Sequence, residues 1–196
     1  MPKIVDKEKM KAEILEATVR AFATHGFHNT TMQLIAKEAG IAKGTLYLYF
    51  DSKEALSVAF VEGYFAKMEA MMQSHGYAKT LNVFINQIEL TLLIDEKEAK
   101  FIPIFFEAFG PSFHSKEFRE TIENSFDNMG RFYTQNLEAL QQDGEVSKEM
   151  DIEALGRVLV SMLDGVMLHY GLFNIKREKF ETMVKEALSL FRRGLS

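Results

Sequence analysis

The stretch from Thr31 to Lys53, TMQLIAKEAGIAKGTLYLYFDSK, constrains this chain more than any other. Met32 to Ala39 places Leu34, Ile35 and Ala39 on one side of a helix. Thr31, just ahead, has a hydroxyl that can accept a backbone N–H of the first turn. Gly40 follows where that helix must stop, since a residue without Cβ takes positive φ at little cost. Thr45 to Phe50 then resumes a helix, with Leu46 turned inward. Ala36 is small where a second helix must cross closely, and Ile41 plugs the angle between the two. Those sterics predict a helix-turn-helix, whose second helix fits the major groove of DNA. An ordinary helical hairpin in an all-α core would satisfy the same positions, so the rest of the chain must decide.

Only three prolines, Pro2, Pro103 and Pro111, interrupt 196 residues, and β-branched runs bounded by turns are missing. The class predicted is therefore all-α. With 47% hydrophobic residues the chain can bury a sizeable core. It has no cysteine, which excludes disulfides and thiolate metal sites and fits a reducing cytoplasm. No apolar run reaches the length of a membrane span, and the N-terminus lacks the apolar segment of a signal peptide, so the expectation is a cytoplasmic protein with no membrane partner. The net charge of −5 is unevenly spread. Residues 1–53 hold eight Lys/Arg against six Asp/Glu, and the remainder fifteen against twenty-two. A basic end on an acidic body suits one nucleic-acid face and another task elsewhere.

Apolar periodicity and capping residues place about nine helices. The first runs from about Lys7 to His25, closed by Gly26 with Phe27 folding back, and the next two are those already described. A fourth, capped by Ser52, reaches about Ser74, and others cover Thr80 to Leu93 and Ala99 to Phe109. A break is expected at Pro111. Further helices follow over Ser115 to Gln142, from Asp151 as N-cap to Tyr170, and over Lys176 to Arg193. The tail PKIVDKEKMK is charged, and Lys3, Lys7, Lys9 and Lys11 could reach phosphates.

Lys43 to Leu56, KGTLYLYFDSKEAL, resembles the recognition helix and following segment of the TetR family of transcriptional regulators. HGFHNTTMQLIAKEAGIA before it is similar to the same family's first-helix exit and second helix. The resemblance covers roughly the first sixty residues. It implies a three-helix DNA-binding domain over residues 1–53 and an effector-binding and dimerisation domain over 54–196. It also implies that Gln33, Thr45 and Tyr49 meet base edges. Thr31, Lys43, Gly44, Tyr47 and Lys53 correspond to residues that contact the DNA backbone. Asp51 departs from the family pattern, because a carboxylate beside phosphate would repel.

Beyond that segment the residues speak for themselves. Eight phenylalanines fall between Phe101 and Phe132. Such density, with methionines nearby, suits a pocket for a hydrophobic small-molecule effector. Phe65, Met68, Phe101, Phe105, Phe106, Phe109, Phe126 and Met129 are the candidate lining, although any one of them could be plain core. Glu89, Glu107 and Asp164 sit in apolar runs where a lone carboxylate is costly. Any of them that faced inward would favour a cationic ligand. Gly156, Ser161, Gly165 and Gly171 lie among large apolar residues on one helix, and the last helix carries an apolar stripe. That pair could form a four-helix interface in a homodimer, as the TetR family does.

No phosphate-binding glycine loop, cysteine nucleophile or metal-ligand spacing is present, so neither enzyme, metal nor cofactor is expected. The expectation is a ligand-responsive, sequence-specific DNA-binding transcriptional regulator, most simply a repressor of a double-stranded operator. The alternative is an all-α carrier of lipophilic ligands without DNA binding. A carrier has no use for Lys43, Thr45, Tyr47, Tyr49 and Lys53 on one exposed face.

Overall fold

The computed structural model describes residues 6–112, 114–173 and 175–195, excepting the side chains of residues 97, 98, 111 and 112. Lys3 of the charged tail and Phe113, one of the eight phenylalanines between Phe101 and Phe132, lie outside the described residues, as does the side chain of Lys97. Every regular element among the described residues is helical. In chain order these are α1 (Lys7–Asn29), α2 (Met32–Glu38), α3 (Lys43–Tyr47), α4 (Lys53–His75) and α5 (Leu81–Leu92). Then come α6 (Glu96–Ala99), α7 (Phe101–Ser112), α8 (Lys116–Gln142), α9 (Ile152–Phe173) and α10 (Arg177–Leu195). The all-α class expected from sequence is what forms. The one element not anticipated as separate is the four-residue α6. The break expected at Pro111 comes after Ser112 instead, because the helix keeps that proline in its last turn.

Caps sit where polar side chains precede apolar periodicity. Thr31 Oγ1 accepts Leu34 N–H at 3.3 Å, Ser52 Oγ accepts Ala55 N–H at 3.1 Å, and Asp151 Oδ1 accepts Ala154 N–H at 3.0 Å. Gly26, at φ 73°, breaks α1 near its end, and Gly40, at φ 67°, makes the turn after α2.

The chain forms two compact units. The first holds the described residues up to Tyr64 together with Pro103–Arg119. At seven and five residues, α2 and α3 are too short to persist in water by themselves. Packing holds them. Ile14, Phe22, Ile35, Leu46 and Leu56 are fully buried, each contributing about 1.5–3 kcal/mol. Arg20 Nε donates to Glu38 at 2.9 Å, pairing α1 with the end of α2. Phe27 closes the unit edge-on against Phe22, with centroids 5.3 Å apart.

The second unit holds Phe65–Ile102 and the chain from Glu120 onward. Its core joins α5, α8, α9 and α10 through Phe84, Ile88, Leu137, Leu159 and Phe180. Buried Asn136 on α8 accepts Ala78 N–H at 2.8 Å, fixing the turn before α5. Gly156 is needed where α9 crosses α8, since a Cβ there would lie 2.6 Å from the carbonyl oxygen of Gly130. At the start of α10 the Arg177 guanidinium donates to the carbonyl of Ile94 at 2.6 Å and lies over the Tyr170 ring.

Candidate nucleic-acid interface and ligand groove

The helix-turn-helix presents its polar side chains because its apolar anchors are buried. Leu46 is fully buried and Phe50 nearly so, which turns the rest of α3 and its exit outward. Thr31, Gln33, Lys43 and Gly44 are exposed, Tyr47 is 42% exposed, and Thr45 and Tyr49 are half-buried. The Lys43 ammonium lies 5.8 Å from the centroid of the Tyr47 ring one turn on. Thr31 accepts its capping bond through oxygen, so its hydroxyl proton remains able to donate outward. Ser52, not Asp51, caps α4, and Asp51 is exposed.

Lys53 is placed differently from a free surface lysine. Its ammonium donates to the carbonyls of Phe27 at 2.9 Å and His28 at 3.4 Å, and stands 4.4 Å from the Phe27 ring centroid. It thus satisfies carbonyls at the end of α1, where a cation also meets the negative end of the helix. Two of its three N–H donors are occupied in this way.

The eight residues expected to line an effector pocket fall in both units. In the first, Phe105 packs against Tyr64 at 4.9 Å, Phe60 at 6.4 Å and Phe109 at 5.3 Å, and Phe106 is 38% exposed. In the second, Phe65 meets Phe126 edge-on at 5.5 Å, while Phe101 and Met68 are half-buried and Met129 is buried. A groove of about 390 Å³ in the second unit runs between the end of α4 and the middle of α8. It takes Met129 from the expected set, together with Glu69, Met72, Gln73, Tyr77, Arg131 and Phe132. Its lining mixes apolar and polar groups. The polar members repeat at helical spacing and in sequence cannot be told from a solvated face. Deeper in, Met72 and Phe132 are shared with a small cleft bounded by Phe84, Gln87, Thr91 and Tyr133.

Of the three carboxylates flagged in sequence, Glu107 accepts Phe27 N–H at 3.0 Å in the first unit, and Glu89 is half-buried. Asp164 on α9 is half-buried, and burial pushes its carboxyl up to about 7. Its charge, after burial, also helps raise the Tyr133 phenol above its ordinary range.

The exposed side of α9 and α10 is apolar in several places. Val158 is 52%, Phe173 61% and Leu190 66% exposed, and a Cβ at Gly165 would meet nothing within 4 Å. Among the described residues no group of three or more His, Asp or Glu is placed to hold a metal. No helix among them is long and apolar enough to cross a membrane.

Comparison with known proteins meets the same residues. Residues 14–60 match the family described as "Bacterial regulatory proteins, tetR family". YfiR, a helix-turn-helix-type transcriptional regulator of Bacillus subtilis, is 25% identical over 165 residues, covering 82% of this chain and 80% of its own. A TetR transcription regulator from Haloarcula marismortui superposes with a TM-score of 0.77 at 19% identity, covering 96% of this chain and 98% of that one. The transcriptional regulator FadR of Bacillus subtilis, solved in complex with stearoyl-CoA, superposes at 0.66 and 19% identity, covering 94% and 99%. The match spans the segment that carries Lys43 to Tyr49, which a carrier would not need: over residues 14–60 the chain carries a TetR-family helix-turn-helix domain, and over most of its length it is similar to helix-turn-helix transcriptional regulators.

Proposed function

We propose that this protein is a cytoplasmic homodimeric repressor released from its operator by an amphipathic or hydrophobic small molecule. Residues 1–53 serve as the DNA-binding domain and 54–196 as the effector-binding and dimerisation domain. The observation that carries this reading is the outward face of the helix-turn-helix, held there by fully buried Leu46. Gln33, Thr45 and Tyr49 read base edges in the major groove. Thr31, Lys43, Gly44, Tyr47 and Lys53 position the DNA backbone, Lys53 with its one remaining N–H donor.

Two copies meet through α9 and α10, whose exposed apolar residues favour burial, and present recognition helices to half-sites about one DNA turn apart, roughly 34–36 Å. The effector enters the groove beside α4, a helix that contributes residues to both units. There Met72, Met129 and Phe132 take an apolar chain and Arg131 an acidic head group, in keeping with the stearoyl-CoA bound by the similar FadR. To cause release, the effector must bind the DNA-free arrangement more tightly than the DNA-bound one. Met129 is the residue of the expected pocket set that lines this groove.

Fluorescence anisotropy on the protein's own upstream region tests both halves. Binding should exceed that to random DNA, fall steeply with salt, and be reversed by long-chain acyl compounds that also raise the melting temperature. Release by polar metabolites alone would remove the hydrophobic effector, and equal binding to all DNA would remove the repressor.

A further inference from the structure

The recognition helix carries one side chain that no polar contact explains. Leu48 follows α3 directly, stays in the αR region at φ −74° and ψ −15°, and is 82% exposed. The helical turn continues through it: Leu48 N–H donates to Thr45 O at 3.1 Å, and Phe50 N–H to Leu46 O at 3.0 Å. At about 100° per residue, Leu48 lies about 200° around the helix from both Leu46 and Phe50. Those two are the buried anchors, so Leu48 points directly away from the core. One turn earlier on the same face stand Thr45 and Gly44. A Cβ at Gly44 would meet nothing within 4 Å, so that side of Leu48 is open.

A leucine can neither bond a phosphate nor pair with a base edge through hydrogen bonds. In the major groove the apolar group available to it is the C5-methyl of thymine. We infer that Leu48 is a specificity residue that packs against a thymine methyl in each operator half-site, beside the base contacts of Thr45 and Tyr49. Burying that methyl removes apolar surface from water on both partners, and it distinguishes thymine from cytosine at a position where no hydrogen bond need be made. The inference rests on the operator-binding reading above and extends it to one named base substituent.

The experiment replaces each thymidine of the shortest protected promoter fragment, one at a time, with deoxyuridine, which deletes only the methyl. Wild type should lose about fourfold in affinity at one thymine per half-site, the worth of a single methyl-sized apolar group. Leu48→Ala should bind the natural duplex more weakly by a similar or larger factor, keep its helical circular dichroism, and show no further loss on the deoxyuridine duplex. Leu48→Met, which retains apolar reach, should keep most of the sensitivity. Leu48→Ala binding as tightly as wild type, or remaining fully sensitive at every deoxyuridine, overturns the inference while leaving the regulator intact. A wild type with no preference for promoter DNA overturns both.

Discussion

In the first unit the carboxylate of Glu107 accepts the backbone N–H of Phe27 at 3.0 Å. Phe27 follows Gly26, whose φ of 73° and ψ of 160° break α1, so that N–H has lost its helical carbonyl. A side chain eighty residues away in sequence fills the vacancy. Glu107 therefore has a structural task, and the cost of a carboxylate in an apolar run is offset by a charge-assisted hydrogen bond.

Replacing Glu107 with alanine should lower stability by about 1 kcal/mol, since the bond is partly exposed and water can substitute. Glu107→Gln, whose side-chain carbonyl still accepts, should recover most of that loss. Urea unfolding of the three proteins separates the outcomes. Alanine and glutamine variants of equal stability would show that charge, not the hydrogen bond, is what matters.

The DNA face divides into two kinds of residue with two kinds of defect. Lys43→Ala should weaken promoter and random DNA alike and reduce the salt slope by about one. Tyr49→Ala and Gln33→Ala should instead relax discrimination at particular base pairs by roughly 1–3 kcal/mol. Titrations at several salt concentrations, on natural and point-substituted duplexes, check this. A uniform loss from Tyr49→Ala would reassign it to the backbone.

Two glycines on α9 should answer substitution in opposite ways. Gly156→Ala puts a methyl against the Gly130 carbonyl and Thr134, and should destabilise the folded chain by about 1–3 kcal/mol. A Cβ at Gly165 would meet no atom within 4 Å, and Gly165→Leu should leave the monomer folded. If α9 lies in the dimer contact, the same change separates the subunits and weakens operator binding. Sedimentation beside thermal melts tells the two apart, and a fully dimeric Gly165→Leu would move the interface off this face.

Asp164 makes stability depend on pH. Its folded carboxyl titrates at about 7 and its ordinary value is 3.8, so between those values the native state holds more protons than the unfolded one. Stability contributed by this group therefore falls as pH rises, and the penalty is complete above about 7. Asp164→Asn removes the charge. Its advantage over wild type should widen by about 1–2 kcal/mol from pH 5 to pH 8, after allowance for solvent screening at a half-buried site. A constant difference across that range would mean that the carboxylate finds a counter-charge.

The first unit was largely legible in the sequence because its signals are local. Thr31, Gly40, Leu46 and Ser52 act through neighbours within four residues, and each does what its chemistry predicts. The groove was not legible, since Gln73, Arg131 and Tyr77 become neighbours only when α4 and α8 pack, and nothing in either segment announces that register. The ring contacts among the phenylalanines were no more legible. Phe105 meets both Phe109 and Tyr64, with ring centroids 5.3 and 4.9 Å away. Nor did the sequence show where the Lys53 ammonium sits. Its bond to Phe27 O depends on where α1 ends in space.

That bond bears on how the protein would meet DNA. A lysine side chain free in water samples many rotamers, and fixing it on a phosphate forfeits about 1.5–2 kcal/mol of conformational entropy. Lys53 is immobilised before any duplex arrives, pinned by two carbonyls and a ring. The loss has been taken during folding. A phosphate approaching its third N–H meets a cation already oriented, and binding through it should carry a smaller unfavourable entropy than binding through Lys43.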